Sequence, residues 1–213
     1  MRLILRCAVW TLALGLAFLL DRQSFTTLRT LCLYDHWGEL REGLTAAKFL
    51  ASGLGTLVVG LAVGCLDGKR GWRRARLLWV VALAAGAAAG GLKVVSGRER
   101  PSHLDQPFGA ERLAFCGPAE GLNAPFQSFP SGHVTCAFAT ATCLAAFYPQ
   151  ARVVCYVVAS TTGLNRVVKH QHFLSDVVAG AVLGYGIASW LLKRDRLRRW
   201  WQVAGSTASS PST

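Results

Sequence analysis

Apolar residues along this chain gather into six runs, parted by short polar or charged stretches. The runs are Cys7–Leu20, Phe49–Leu66, Leu77–Val95, Val134–Tyr148, Val153–Val168 and Phe173–Leu192. Charge enters them at three positions, Lys93, Arg166 and Asp176. A helix crosses a bilayer with about 20 apolar residues, and ~17 is a common lower limit. Phe49–Leu66, Leu77–Val95 and Phe173–Leu192 pass that limit, and the other three reach it with their flanks. The pattern predicts an all-α protein, a bundle of six transmembrane helices. It forms one domain over residues 1–201, and a small polar tail at 202–213 is expected to be disordered.

Composition supports this over a soluble reading of 213 residues: 52% are hydrophobic and the mean hydropathy is +0.35. The formal net charge of +12 sharpens it, because the charge is unevenly spread. Thirteen of the 23 basic residues flank the spans on one predicted side: Arg2, Arg6, Lys69 to Arg76, Arg152, and Lys193 to Arg199. Only Asp67 and Asp195 accompany them there. Positive residues stay cytoplasmic, so both termini are predicted inside. Basic clusters beside apolar helices act as topology signals and contact anionic lipid, which argues against a nucleic-acid partner. The first run reads as a retained anchor, because Ala17-Phe18-Leu19-Leu20-Asp21-Arg22 offers no small-x-small cleavage site.

Between the spans, Leu31–Leu44 reads either as an interfacial helix or as a polar loop with aromatic anchors. Residues 67–76 read as a basic inner loop, and 149–152 as a tight inner turn. Residues 98–130, with five prolines, cannot continue a helix and form the long outer connection; such loops are often functional. Gly60-x-x-x-Gly64, Gly86-x-x-x-Gly90 and Gly180-x-x-x-Gly184 permit close helix contact. Of the seven cysteines, Cys32 and Cys116 lie outside the spans and could pair in an oxidising compartment. No CxxC pair points to structural zinc.

Three polar groups fall at the same predicted membrane face. The first, Lys93-Val-Val-Ser-Gly-Arg-Glu-Arg100-Pro101, ends the third span. Lys93 and Arg100 are seven apart, about two helical turns, so they share a face if the helix continues. A lone lysine there would simply snorkel to water. The second is Pro130-Ser131-Gly132-His133, just before the fourth span. Serine is a good N-cap, and the same helix start aims free amides and a positive dipole end at an anion. Gly132 lets a ligand approach the backbone, and His133 stands in the first turn. The third runs from Asn165 and Arg166 to His172 and Asp176. His172 and Asp176 are four apart and meet on one helix face. A carboxylate in an apolar span is costly unless partnered. An imidazole donating its far nitrogen to a carboxylate is fixed in tautomer and made a better nucleophile or base. Arg166 brings a planar fork suited to phosphate oxygens. Cations, an anion nest, two histidines and a carboxylate are what phosphoryl transfer needs.

In order and spacing these motifs resemble the type 2 phosphatidic acid phosphatase (PAP2) superfamily, which also holds vanadium haloperoxidases and bacterial acid phosphatases. The family pattern is Lys-x6-Arg-Pro, then Pro-Ser-Gly-His, then Ser-Arg-x5-His-x3-Asp. This chain carries KVVSGRERP, PSGH and NRVVKHQHFLSD over residues 93–176. The resemblance implies a PAP2/haloperoxidase-like helical core and a membrane enzyme acting on a lipid phosphate or pyrophosphate. It implies that His172 attacks phosphorus, Asp176 orients it and His133 protonates the leaving group. Lys93, Arg100 and Arg166 would hold the phosphoryl oxygens, with hydrogen bonds from Ser131 and the Gly132 amide. It implies no metal and no cofactor, the cations taking over the electrostatic part. Asn165 stands where the family has serine, and it too can bond a phosphate oxygen. His170, four residues from Arg166, is out of register.

The expected function is therefore lipid phosphate hydrolysis at the non-cytoplasmic face of a bacterial inner membrane. A phosphotransferase would use the same residues. A metal transporter built on His133, His170, His172 and Asp176 would leave the three cations unexplained, since they repel a metal. An inactive binding or structural protein would leave the histidines unexplained.

Overall fold

The computed structural model describes residues 2–30, 52–104, 115–194, 197 and 201, with the backbone alone for 2–7, 29 and 30. Leu31–Leu44, Cys32 and the tail 202–213 lie outside the described residues, and Cys116 carries an exposed free thiol. Six long helices occur among the described residues: α1 Arg2–Thr30, α2 Gly53–Leu66, α3 Gly68–Ser96, α4 Gly132–Phe147, α5 Arg152–Val168 and α6 Leu174–Lys193. No strand is present among those residues, and one isolated bridge pairs Arg98 with Phe115. By length and composition, α3 and α6 can cross a membrane alone; α2 and α4 are apolar but shorter.

The basic stretch 67–76 differs from its expected loop. Only Asp67 and Gly68 turn the chain, Gly68 at φ 59°, and the basic residues form the first turns of α3. Arg74 folds back onto Asp67 in an ion pair and lies over the Phe147 and Tyr148 rings.

Helix α4 is central, packing on α3, α5 and α6, while α1 docks on α6 and α2 on α3. Its contact with α6 is backbone-close. A Cβ at Gly180 would stand 2.7 Å from the Ser131 carbonyl oxygen, and one at Gly184 would stand 2.1 Å from that of Thr135. Small residues at this four-residue spacing let two helices touch where hydrocarbon provides no hydrophobic drive. The bundle's two ends then differ in character. Leu77, Leu78 and Val81 of α3, Cys143 and Phe147 of α4, and Leu192 of α6 form an apolar core at one end. Buried polar side chains collect at the other: Asp21, Arg98, Ser128, Ser131, Asn165, Arg166, His172, Ser175 and Asp176. Outward faces are apolar, with Leu12, Leu19, Leu83 and Val153 all more than 70% exposed. A water-soluble bundle has the reverse arrangement.

Candidate active site

Helix α3 does not continue to Arg100. Gly97 takes the left-handed conformation at φ 55° and donates its N–H to the Lys93 carbonyl, closing the helix at Ser96. This C-cap is the one glycine occupies most readily. The expected two-turn stacking of Lys93 and Arg100 is thus replaced by a chain reversal. Arg100 is extended before Pro101, as a residue preceding proline must be, and its amide bonds the Pro125 carbonyl at 2.9 Å. The two cations meet all the same: Lys93 lies in the field of Arg100, Arg166 and Asp176. Its Nζ reaches the start of α4, 3.7 Å from where a Cβ on Gly132 would lie. Burial lowers the Arg100 pKa, and the Asp176 charge opposes the shift; a guanidinium stays charged regardless.

Ser131 occupies the N-cap position of α4 but makes no side-chain capping bond. Its amide is tied to the Asp176 carbonyl at 3.0 Å, which fixes α4 against α6. Its hydroxyl is buried and has no hydrogen-bond partner among the described residues. Gly132 and half-buried His133 stand in the first turn, where amides have no intrahelical acceptor. The Nε of Arg100, the Nε of Arg166 and both polar atoms of the Asn165 amide are buried and partnerless in the same sense. Arg166 is otherwise held by Gln171, which accepts from its guanidinium.

After α5 the chain turns through His170, at φ 51°, whose ring packs edge-on against Phe25. That turn delivers His172, 4% exposed, to the cluster. Its Nδ1 lies 2.8 Å from the Ser128 carbonyl oxygen and 3.7 Å from Asp176 Oδ2. The expected imidazole-to-carboxylate hydrogen bond is therefore replaced by one to a backbone carbonyl, and Asp176 acts on the ring through its charge. The Asp176 oxygens are taken by other donors: Ser128 Oγ at 2.6 Å, the Phe173 amide at 2.8 Å and Arg98 at 2.6 Å. Bonding the amide three residues back also caps α6, as in half of a capping box. Burial pushes the His172 pKa below its ordinary value, while Asp176 pulls the other way. A neutral imidazole protonated on Nδ1 leaves the Nε2 lone pair free.

Four residues of this cluster have no site role in the motifs of the sequence: Asp21, Arg98, Ser128 and Ser175. Arg98 is wholly buried and donates to Asp21, Ser175 and Asp176. One clue was available: Asp21 and Arg98 lie at the ends of apolar helices, as the three motifs do, and charges placed there need partners.

Residues 74–200 match the family model described as the PAP2 superfamily. A 113-residue stretch is 37% identical to a lipid A 1-phosphatase of Rhizobium johnstonii, covering 53% of this chain and 44% of that protein. Over 107 residues the chain is 35% identical to a lipid A 1-phosphatase of Rhizobium etli, covering 50% of this chain and 44% of the relative. A third lipid A 1-phosphatase, from Porphyromonas gingivalis, is 46% identical over 62 residues, 27% of this chain and 14% of that one. The chain thus spans less than half the length of these relatives. Its fold is similar to the crystal structure of a transmembrane PAP2-type phosphatidylglycerolphosphate phosphatase from Bacillus subtilis. That similarity has a TM-score of 0.61 at 20% identity and covers 86% of this chain and 92% of the other.

Proposed function

This chain belongs to the PAP2 superfamily, and from that premise we propose that it is a membrane phosphatase that hydrolyses a lipid phosphate. The observation that carries the reading is the set of buried polar atoms on Ser131, Asn165, Arg100 and Arg166 that have no partner among the described residues. Buried polar atoms are nearly always bonded. Here Arg100 and Arg166 share the field of Lys93, Lys93 and Arg100 act on His172, and Ser131 is tied by its amide to the Asp176 carbonyl, so a phosphoryl group among them would satisfy these atoms.

In the proposed reaction Lys93, Arg100 and Arg166 hold the phosphoryl oxygens, with Ser131, Asn165 and the Gly132 amide adding hydrogen bonds. Nε2 of His172 attacks phosphorus as the bond to the lipid oxygen breaks. His133 gives that oxygen its proton. Water then attacks the phosphohistidine, His133 takes the water's proton, and phosphate departs with His172 restored. Asp176 stabilises the positive charge that grows on the imidazole. Three fixed cations meet the charge of the phosphoryl group without a metal ion.

The six helices are proposed to cross the membrane as one domain over residues 1–201, with both termini cytoplasmic and the site at the outer face. Support comes from the segregation of charge. The site gathers where α3 and α5 end and α4 and α6 begin, whereas Lys69 to Arg76, Arg152 and Lys193 lie at the opposite ends of their helices. That pattern follows the positive-inside rule. An apolar cavity of about 220 Å³ lies between α4 and α5 and is lined from Leu144 and Val154 up to Ala137 and Thr162. Thr162 is about one turn from Arg166, a fitting place for a lipid tail. The relatives named above make the 1-phosphate of lipid A the first substrate to try. The test is phosphate release from purified lipid A, phosphatidylglycerol phosphate, phosphatidic acid and polyprenyl pyrophosphate. Release from lipid A is expected, lost in His172→Ala and in His133→Ala. No release from any of the four, or full activity in either variant, refutes the reading.

A further inference from the structure

Asp21 of α1 bonds directly to Arg98 and Ser175, and the way it does so is specific. Arg98 is wedged between two carboxylates, with its NH2 2.7 Å from Asp21 Oδ2 and its NH1 2.6 Å from Asp176 Oδ1. Ser175 closes the figure. Its amide donates to Asp21 Oδ1 at 2.8 Å, and its hydroxyl accepts from Arg98 while donating to Asp21. All four side chains are fully buried. The Arg98 guanidinium also lies 4.4 Å from the centre of the Phe173 ring, so it is held from the face as well as from its edge.

We propose that Asp21 and Arg98 are positioning residues for the phosphatase reaction, setting the orientation of Asp176 and the share of its charge that reaches His172. This rests on the reading of His172 as the nucleophile. The geometry gives the reason. Arg98 engages Oδ1 of Asp176, which leaves Oδ2 to Ser128 and the Phe173 amide, on the side facing Nδ1 of His172. Ser128 is at once the residue whose backbone carbonyl holds Nδ1 and whose hydroxyl holds Oδ2, so one residue fixes both the imidazole and its carboxylate. An arginine serving one carboxylate would neutralise it. Shared with Asp21, it neutralises Asp176 only in part, and the remaining negative charge faces the imidazole. A bidentate arginine fork holds such geometry where a lysine point charge would not. The first helix is thereby part of the catalytic apparatus and more than a membrane anchor.

The charged groups facing His172 are Asp176 from α6, and Lys93 and Arg100 from α3 and the segment after it, with Arg98 and Asp21 behind Asp176. Removing one member of the pair or both moves the imidazole in opposite directions. In Asp21→Asn, Arg98 is left to Asp176 alone, and protonated His172 is less favoured. In Asp21→Asn with Arg98→Met, the Asp176 charge acts undiluted, and protonated His172 is more favoured.

The experiment is a pH titration of histidine-labelled full-length protein in detergent by NMR, the His172 signal being identified by its absence in His172→Ala. It is paired with kcat and KM on lipid A micelles. The His172 midpoint should fall in the single variant and rise in the double variant, each by on the order of half a pH unit. In the single variant kcat should fall at least tenfold with KM near the original value. An unmoved midpoint in the folded single variant overturns the proposal, as does movement of both variants in the same direction. If the single variant does not fold, the double variant, which loses the two charges together, decides by its midpoint. The titration needs no turnover, so inactivity toward lipid A would count against the proposed substrate and leave this test intact.

Discussion

Nδ1 of His172 stands 2.8 Å from the carbonyl oxygen of Ser128. A carbonyl only accepts, so the ring must donate from Nδ1, which makes Nε2 the free lone pair. The Ser128 hydroxyl, 3.5 Å from the same nitrogen, donates to Asp176. Tautomer and carboxylate are thus set from one residue of the loop that precedes α4.

A pH dependence follows from this. Burial holds the His172 pKa below the ordinary histidine value of about 6.5. The neutral nucleophile should therefore persist below that pH. The acid limb of kcat/KM is expected under pH 6.5, and a limb centred above that value would contradict the shift. The same shift bears on stability. A folded-state pKa below the unfolded one gives stability that is full above about pH 6.5 and is lost as pH falls through the folded value. Unfolding in detergent followed from pH 7.5 to 5 checks the sign: wild type should lose more than His172→Gln.

Ser131 separates binding from folding. Its hydroxyl bonds nothing among the described residues, so Ser131→Ala should leave thermal stability unchanged. It should nonetheless weaken inhibition by orthovanadate, a mimic of five-coordinate phosphorus, because a hydrogen bond to a charged ligand contributes about 1.5–3 kcal/mol. The expected loss is on the order of tenfold or more in the inhibition constant. Asn165→Ala should behave alike. Vanadate inhibition equal to wild type in both variants would remove these side chains from the phosphate site.

The glycine patterns are predicted to differ in consequence. A Cβ at Gly184 would lie 2.1 Å from the Thr135 carbonyl oxygen, whereas one at Gly90 would meet nothing within 4 Å. Gly184→Ala should destabilise the protein by ~1–3 kcal/mol through overpacking, seen as a lower unfolding midpoint in detergent. Gly90→Ala should hold or slightly raise that midpoint, since alanine favours helix by about 1 kcal/mol over glycine. Equal midpoints for the two would contradict the close α4–α6 contact.

Much of this was written locally in the chain. The apolar runs set where helices form, because length and hydropathy are properties of adjacent residues. Ser131 stands at a helix start and His172 lies four residues from Asp176; both follow from local order alone. The partner of His172 did not. The four-residue spacing pointed to Asp176, yet the fold sets the Ser128 carbonyl nearer, because Asp176 is spent on α6's own amide and on Arg98. The approach of Lys93 to Arg100 was read as helical stacking and is instead a reversal at Gly97. The pairing of Asp21 with Arg98, 77 residues away, and with Ser175, 154 away, was illegible for a plainer reason. Local periodicity reports which face a side chain shares within its own helix, whereas a buried ion pair between helices depends on how they dock. That docking is set by close packing, such as the seam at Gly180 and Gly184, and only the assembled bundle decides which charges meet.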